Sequence, residues 1–565
     1  MVTTSDLPTQ VFTIRGPSFT STPSIKFVGA NGTEYNASST TYVSQGVATF
    51  TLGTLTSAQL ANQPFKIKIG TDTSIDTISS FISLPTRSVS ESLTYDLNND
   101  LGSSPYTISG TLPGGLSSST GILSGTLTTA GTYDFTLTST VSDPYGNWTE
   151  QAEIQADTPG ANDQFGLSVS ISSDGNTAIV GARLEDTADT DAGSVYIFTR
   201  DSDGNWSQED DIQSSNAAPS QSFGEMVAIS SGGNTAIVSA TREDVGTFGD
   251  PNFIEQAGSV YIFKRNSNGD WVEQADILRA GDAGRADHFG YSLAISSDEN
   301  TIIVGTPRED GPSGTAYNAG SVYIFTFSNG NWSQQAQIRE SNPTRDHRFG
   351  ESVAISGNGN TIIVGACDVG KAYIYTRDSN GSWGQPDVTL QSGNTGDGDQ
   401  FGRSVAISSD GNTAIVGAYL EDTGGTNTGS AYIYTRDSNG NWSEEEQIQA
   451  SNKEPGDLFG YIVAMSSDGN TAIVGAPYYE ETGGSETGAA YIFTRSNGIW
   501  TERSYVQGNR GDGDNFGIGV AISPDGNTAI VGASYEDPGG TTNAGSAYVF
   551  TVPPPSQDYR MVVTN

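Results

Sequence analysis

Paired carboxylates are the most regular chemistry-bearing feature of this sequence. Glu185-Asp186, Glu243-Asp244, Glu309-Asp310, Glu421-Asp422, Glu480-Glu481 and Glu536-Asp537 recur along it, with Arg242 directly ahead of the second pair. A second set, Asp163, Asp287, Asp399, Asp457 and Asp514, stands two residues before a Phe-Gly dipeptide. Hard divalent cations want clustered oxygen ligands, so calcium held between the two sets, at the second set above all, is one reading. The other is that each carboxylate accepts backbone N–H bonds and closes its own turn, which would recur in the same way. A catalytic group is expected once rather than six times. No pair is therefore assigned to catalysis, and no cofactor is required.

Other reactive groups are sparse. His288 and His347 flank Phe-Gly dipeptides and could approach one another, yet neither has the Cys/His or Ser/Asp setting of a metal site or triad. Arg510-Gly511-Asp512 spells a cell-attachment tripeptide in a Gly/Asp-rich stretch where such a match arises easily. The Asn-Trp-Ser sequons at Asn205, Asn331 and Asn441 are better explained by a turn ending in Asn-Trp. The DSNGNW segments lack the Ser-x-Asp-x-Gly-x-Thr-Trp order of the sialidase Asp-box. Neither a P-loop nor a dinucleotide fingerprint nor a zinc motif is present, and the expectation is a protein that is not an enzyme.

The elements that position these residues follow from a repeat. Phe-Gly occurs at Phe165, Phe223, Phe289, Phe349, Phe401, Phe459 and Phe516, at steps of 52 to 66 residues. After each comes a similar run, clearest from Phe401: FGRSVAISSDGNTAIVGA, an acidic loop, then GSAYIYTRDSNGNWSEEEQIQA. Four short strands are expected per repeat: A (SVAIS), B (NTAIVGA), C (GSAYIYT) and D, opened by Trp. Asp/Asn-Gly turns join A to B and C to D. Strand C is apolar on both faces, as Val195-Tyr196-Ile197-Phe198 illustrates, so its sheet must be covered on both sides. Radially repeated four-stranded sheets meet that demand. The last repeat stops at Pro553 without a Trp strand, while Trp148 precedes the first Phe-Gly. The expectation is an all-β, seven-bladed propeller whose last blade borrows the strand near Trp148 to Ile154.

Bulk composition agrees. The 565 residues carry 65 acidic against 25 basic side chains, a formal charge of −40 that opposes nucleic acid and anionic membranes as partners. Hydrophobic residues are only 34%, and Gly numbers 70, as short strands and tight turns require. Cys367 is the single cysteine, so no intrachain disulfide can form. No apolar run reaches the ~18 residues of a membrane helix. The opening MVTTSDLPTQ has neither a basic nor an apolar leader region, so the expectation is either a chain outside the general secretory route or a start that is not the native one.

The run FG…SVAIS…GNTAIVGA…GSAYIFTR…NW resembles the FG-GAP repeat of integrin α-subunit heads and many bacterial and viral surface proteins, over about residues 143–552. The resemblance implies a seven-bladed propeller used for adhesion and ligand binding. Many relatives carry a DxDxDG-type calcium loop between strands A and B. Here Ser173-Asp174-Gly175-Asn176 is too short for it, so that site does not carry over. Residues 1–72 (VFTIRGPSFTSTPSIKFVGANGTEY) resemble an IPT/TIG-like sandwich, and residues 73–142 (YTISGTLPGGLS, TGILSGT, TAGTYDFTLT) resemble bacterial and phage Ig-like modules. These two β-sandwich domains precede the propeller at 143–555, and 556–565 form a C-terminal tail.

Antiparallel connectivity puts the A–B and C–D hairpins on one face and the D–A and B–C loops on the other. The second face carries the length variation, where binding residues concentrate. Its B–C loops include a long one, Arg242 to Gln256, and a near-absent one at Cys367-Asp368-Val369. The candidate ligand face comprises Glu185, Asp186, Arg242, Glu243, Asp244, Glu309, Asp310, Glu421, Asp422, Glu536 and Asp537. The expected role is a non-enzymatic adhesion or receptor-binding surface protein, extracellular, on a phage virion as fibre, appendage or capsid decoration. A bacterial cell-surface or secreted adhesin is the alternative, and a carbohydrate-active propeller enzyme a further one. The expected partner is a host-cell glycan or protein receptor, or other virion proteins through the Ig-like domains, without membrane insertion.

Overall fold

A computed structural model describes residues 148–552, apart from 202, 312–315, 392, 394–397, 482–484, 508–510 and 512. Of residues 1–142 and of 556–564 it describes strand backbone. The chain divides into two units, Asp143–Pro553 and Met1–Ser142 with Pro554–Asn565.

The first unit is a ring of seven four-stranded antiparallel sheets. Blade one is Phe165–Ile171, Thr177–Ala182, Ser194–Arg200 and Trp206–Ile212, in the order A-B-C-D. All six residues of strand B are buried in every blade, since a neighbouring sheet covers each face. The Phe of each Phe-Gly packs tilted or edge-on against the two aromatic positions of strand C; Phe223 is edge-on to Tyr261 at 5.6 Å and Phe263 at 6.1 Å. Apolar clusters bridge one blade to the next; that of Ile530, Ala547 and Val549 with Phe165 and Val180 joins the last blade to the first.

Ring closure follows the expected one-plus-three pattern. Thr149–Ile154 pairs antiparallel with Ser546–Thr551, from Thr149 opposite Thr551 to Ile154 opposite Ala547, and completes the sheet of Gly519–Ile522 and Thr528–Ala533.

Serines manage the exposed inner edges. Strand A is the innermost strand, so one row of its N–H groups has no ladder partner within its blade. Ser168 Oγ accepts from Val227 N–H, Ser352 Oγ from Val405 N–H and Ser404 Oγ from Val463 N–H, each at 3.0 Å and each reaching the following blade. The A–B turns are self-closed: Ser172 Oγ donates to Asp174 at 2.6 Å, and that carboxylate accepts Asn176 N–H at 3.0 Å.

Two expectations need correction. Trp383 does not open a continuous D strand. It makes an isolated bridge to Arg377, and the sheet resumes only at Val388–Leu390. Gly384 and Pro386 intervene, and proline cannot donate to the ladder. The residues read as a tail contain a strand, Ser556–Thr564, paired antiparallel with Gly131–Ser139 and parallel with Phe81–Ser83. In the same unit a six-stranded sheet is built from strands between Val11 and Thr77. The side chains and loops that carry the two Ig-like assignments lie outside the described residues.

Candidate functional site

The D–A and B–C loops share one face and are stitched together there. Leu184 N–H donates to Asp163 O at 3.3 Å, Ser220 N–H to Thr190 O at 2.9 Å and Arg242 N–H to Gln221 O at 3.2 Å. The opposite face is made by A–B hairpins that bond to one another, for example Ser173 N–H to Ser231 O at 3.0 Å.

The carboxylate pairs divide their labour on the first face. Glu480 is exposed, but in the other five pairs the Glu turns inward: Glu185, Glu243, Glu309, Glu421 and Glu536 are buried. Each meets a hydroxyl of its own strand C: Ser194 to Glu185 at 2.6 Å, Tyr261 to Glu243 at 2.6 Å, Tyr323 to Glu309 at 2.7 Å, Ser430 to Glu421 at 2.7 Å and Tyr548 to Glu536 at 2.8 Å. Arg279 also reaches Glu243 at 2.8 Å, and Arg339 pairs with Glu309. The Asp of each pair closes its own B–C loop by accepting a backbone N–H. Asp186 takes that of Asp191 (2.7 Å), Asp244 that of Gln256 (2.7 Å), Asp310 that of Asn318 (3.1 Å), Asp422 that of Asn427 (2.8 Å) and Asp537 that of Asn543 (2.7 Å). Arg242 itself is exposed.

The second carboxylate set closes the D–A turns. Asp163 accepts Gly160 N–H at 2.7 Å, Asp287 that of Gly284 at 2.5 Å, Asp457 that of Glu454 at 2.6 Å and Asp514 that of Gly511 at 2.6 Å. Asp399 offers its backbone carbonyl to Leu420 N–H at 3.2 Å. Among the described residues no three His, Cys, Asp or Glu side chains converge as a metal cluster.

Burial raises the pKa of three of these carboxylates well above the ordinary range. It lifts Asp287 to about 7, against the Gly284 hydrogen bond and helped by Glu309 and Asp310. It lifts Asp457 to about 6 and Glu536 to about 7. A carboxyl raised in this way binds its proton more tightly folded than unfolded. Its stabilising contribution is complete below the unfolded value of about 4 and is lost as pH rises through about 6 to 7. The propeller is therefore expected to melt several degrees higher at pH 5 than at pH 8, and relief of the −40 charge acts in the same sense. A thermal melt series between those pH values checks this; an equal or lower midpoint at pH 5 contradicts it.

The histidines do not act together. His347 pairs with Glu340, which also accepts from Tyr373. His288 is buried, and burial with Arg308 nearby pulls it down to about 4, so it is neutral at ordinary pH. Asn205 and Asn441 each donate to the turn aspartate four residues earlier, at 3.1 Å. Arg510 and Asp512 lie outside the described residues.

Sequence reasoning missed the position directly after each Phe-Gly. Leu167, Glu225, Tyr291, Glu351, Arg403, Tyr461 and Ile518 all line one axial cavity of about 450 Å³. Its charges are paired. Arg183 meets Glu225 at 3.2 Å, and Arg403 meets Glu351 at 3.6 Å while lying over the Tyr461 ring at 4.9 Å. Burial opposes the Arg403 charge, but Tyr291, Glu351 and Tyr461 outweigh it and hold its pKa above the ordinary value. A signal for the site existed: this position varies from repeat to repeat directly after an invariant Phe-Gly.

The fold and site define a radially symmetric β-propeller with one irregular, loop-built face around a lined axial cavity. The FG-GAP repeat model matches residues 148–198, 206–263, 271–325, 332–382, 387–434, 442–493 and 506–550, more than half of the chain. The chain belongs to the FG-GAP repeat family. Each match, the first at Trp148 included, opens at or near strand D of the preceding blade and runs through A to C, the same phase that produces the one-plus-three closure. No curated protein matches the chain.

Proposed function

We propose that this propeller is a non-enzymatic binding module that engages a partner through its D–A/B–C face. The observation that carries this reading is the variation in loop length on that face. Strand B and the A–B hairpins repeat, whereas the B–C loops range from a short 3-10 turn at Cys367–Val369 to a hairpin at 242–256 closed by the Val245–Ile254 bridge. The tip of that hairpin presents Phe248, 88% exposed and edge-on to Phe253 at 5.4 Å. An aromatic held that far into water suits a partner that will bury it. The Cys367 thiol argues against nucleophilic chemistry, because burial, Glu351 and Asp368 push it up to about 12.

The proposed setting is a phage virion, the N-terminal β-rich unit mounting the propeller as IPT/TIG-like and Ig-like modules. A bacterial adhesin is the competing setting, which an export leader on the source gene would favour. The partner is a glycan or protein receptor on a host surface. FG-GAP repeats are typical of extracellular proteins, and among the described residues no helix is long and apolar enough to cross a membrane. The test is retention of the full chain on intact bacterial cells, with calcium and with chelator. Phe248→Ala is expected to lower retention about tenfold, and replacing residues 242–256 by the short blade-four turn to abolish it. Retention unaffected by both changes would move the binding surface elsewhere.

A further inference from the structure

The axial cavity carries more information than its position. We infer that its mouth is a binding site for a neutral saccharide residue. This rests on the binding reading above and names a ligand class for it.

Charge is the first argument. On a chain of formal charge −40, the cavity wall holds two cations and two anions in opposed pairs, Arg183 with Glu225 and Arg403 with Glu351. An anionic ligand would cross a repulsive field to reach guanidinium groups already neutralised. A cationic ligand would meet those same guanidinium groups. A neutral ligand rich in hydroxyls loses nothing to either, and paired carboxylates and guanidiniums are strong acceptors and donors for such hydroxyls.

Surface chemistry is the second. The two halves of the mouth differ. The charged groups Arg183, Glu225, Glu351 and Arg403 come from blades one to five, whereas blades six and seven contribute no charge and line the cavity with Tyr461, Tyr478 and Tyr535. Tyr478 is 37% exposed. A sugar ring has the same division, with a C–H face that lies on an aromatic ring and a hydroxyl edge that hydrogen-bonds. At about 450 Å³ the cavity is also within the ~300–1,000 Å³ range of small-molecule sites.

Access is the third. Blade four has almost no B–C loop, so the rim is low there. The groups on that side, Arg348 with Asp368 at 3.1 Å and Gln400 donating to Asp368 at 3.1 Å, are again polar and paired. A longer glycan can run out over this notch while one residue occupies the cavity.

The full chain, Tyr535→Ala and Glu351→Gln would be assayed on a printed array of neutral, sialylated and uronate-containing oligosaccharides. Neutral hits would be titrated calorimetrically, alongside thermal melts and retention on bacterial cells. The expected result is selective binding of neutral glycans, weakened at least tenfold in Tyr535→Ala with an unchanged melting midpoint. Glu351→Gln should behave alike, and Tyr535→Ala keeps the test decisive if loss of the Arg403 partner unfolds the protein. Binding restricted to acidic glycans overturns the inference, as does undiminished affinity in Tyr535→Ala. Retention on cells without any glycan binding overturns it while the binding-module reading survives. Failure to bind either cells or glycans removes both.

Discussion

Gly365→Ala is expected to destabilise the propeller by about 3 kcal/mol or more, a methyl group having the effect usually reserved for gross core damage. A Cβ placed on Gly365 would lie 1.9 Å from the carbonyl oxygen of Gly402, the glycine of the next Phe-Gly. The obstacle is backbone, which cannot rotate away as a side chain would. The same approach recurs around the ring, at 2.0 Å between Gly181 and Gly224 O and 1.8 Å between Gly532 and Gly166 O. The strand-B glycine thus sets how closely successive blades approach. The Phe-Gly glycine has a separate constraint, a left-handed φ near +90°. Blade two supplies the comparison, because it has Ser239 at the strand-B position, and Ser239 Oγ accepts Met226 N–H at 3.0 Å. Ser239→Gly should cost only about 1 kcal/mol, roughly one hydrogen bond. Denaturant titration of the two variants decides the matter; a Gly365→Ala midpoint within error of the parent would show that the blades can part without cost.

Removing residues 143–155 is expected to have an effect of similar or greater size. It takes away the D strand of the last blade, leaves Ser546–Thr551 as a free edge, and uncovers the two clusters that Trp148 and Ile154 respectively help to fill. The melting midpoint should fall by more than 10 °C, or the transition should lose cooperativity. Ile154→Ala is the milder version, with an expected cost of about 2–4 kcal/mol for a side chain only 4% exposed. A midpoint unchanged by the deletion would mean that strand pairing in blade seven contributes nothing to holding the ring.

The blade count, strand order and closure were legible because each is dictated by local pattern plus a count. Seven Phe-Gly pairs and a Trp strand out of phase leave one consistent ring. The site was less legible, and the reason is geometric. Glu185 and Asp186 are adjacent in sequence and chemically alike, yet the turn that follows strand B directs one inward to a strand-C hydroxyl and the other onto its own loop. Periodicity alone shows only that both recur. The residue after each Phe-Gly was missed for the opposite reason. Leu167, Glu225 and Arg403 share no chemistry, and only radial symmetry brings them to one cavity. The break at Trp383 was visible in Pro386 but hidden by the apparent regularity of seven tryptophans.

Closure also has a cost measured in time. Thr149 and its partner Thr551 are 402 residues apart. At a synthesis rate of roughly 5–20 residues per second, the first strand of the ring to leave the ribosome waits about 20–80 s for the segment it must join. Throughout that interval a six-residue β-segment is unpaired beside a growing stack of finished blades. Its composition suits the wait: Glu150 and Glu153 are charged, and four of its six side chains are exposed even in the finished ring. Such residues keep a waiting strand from recruiting the wrong edge, whether on this chain or on one emerging alongside it.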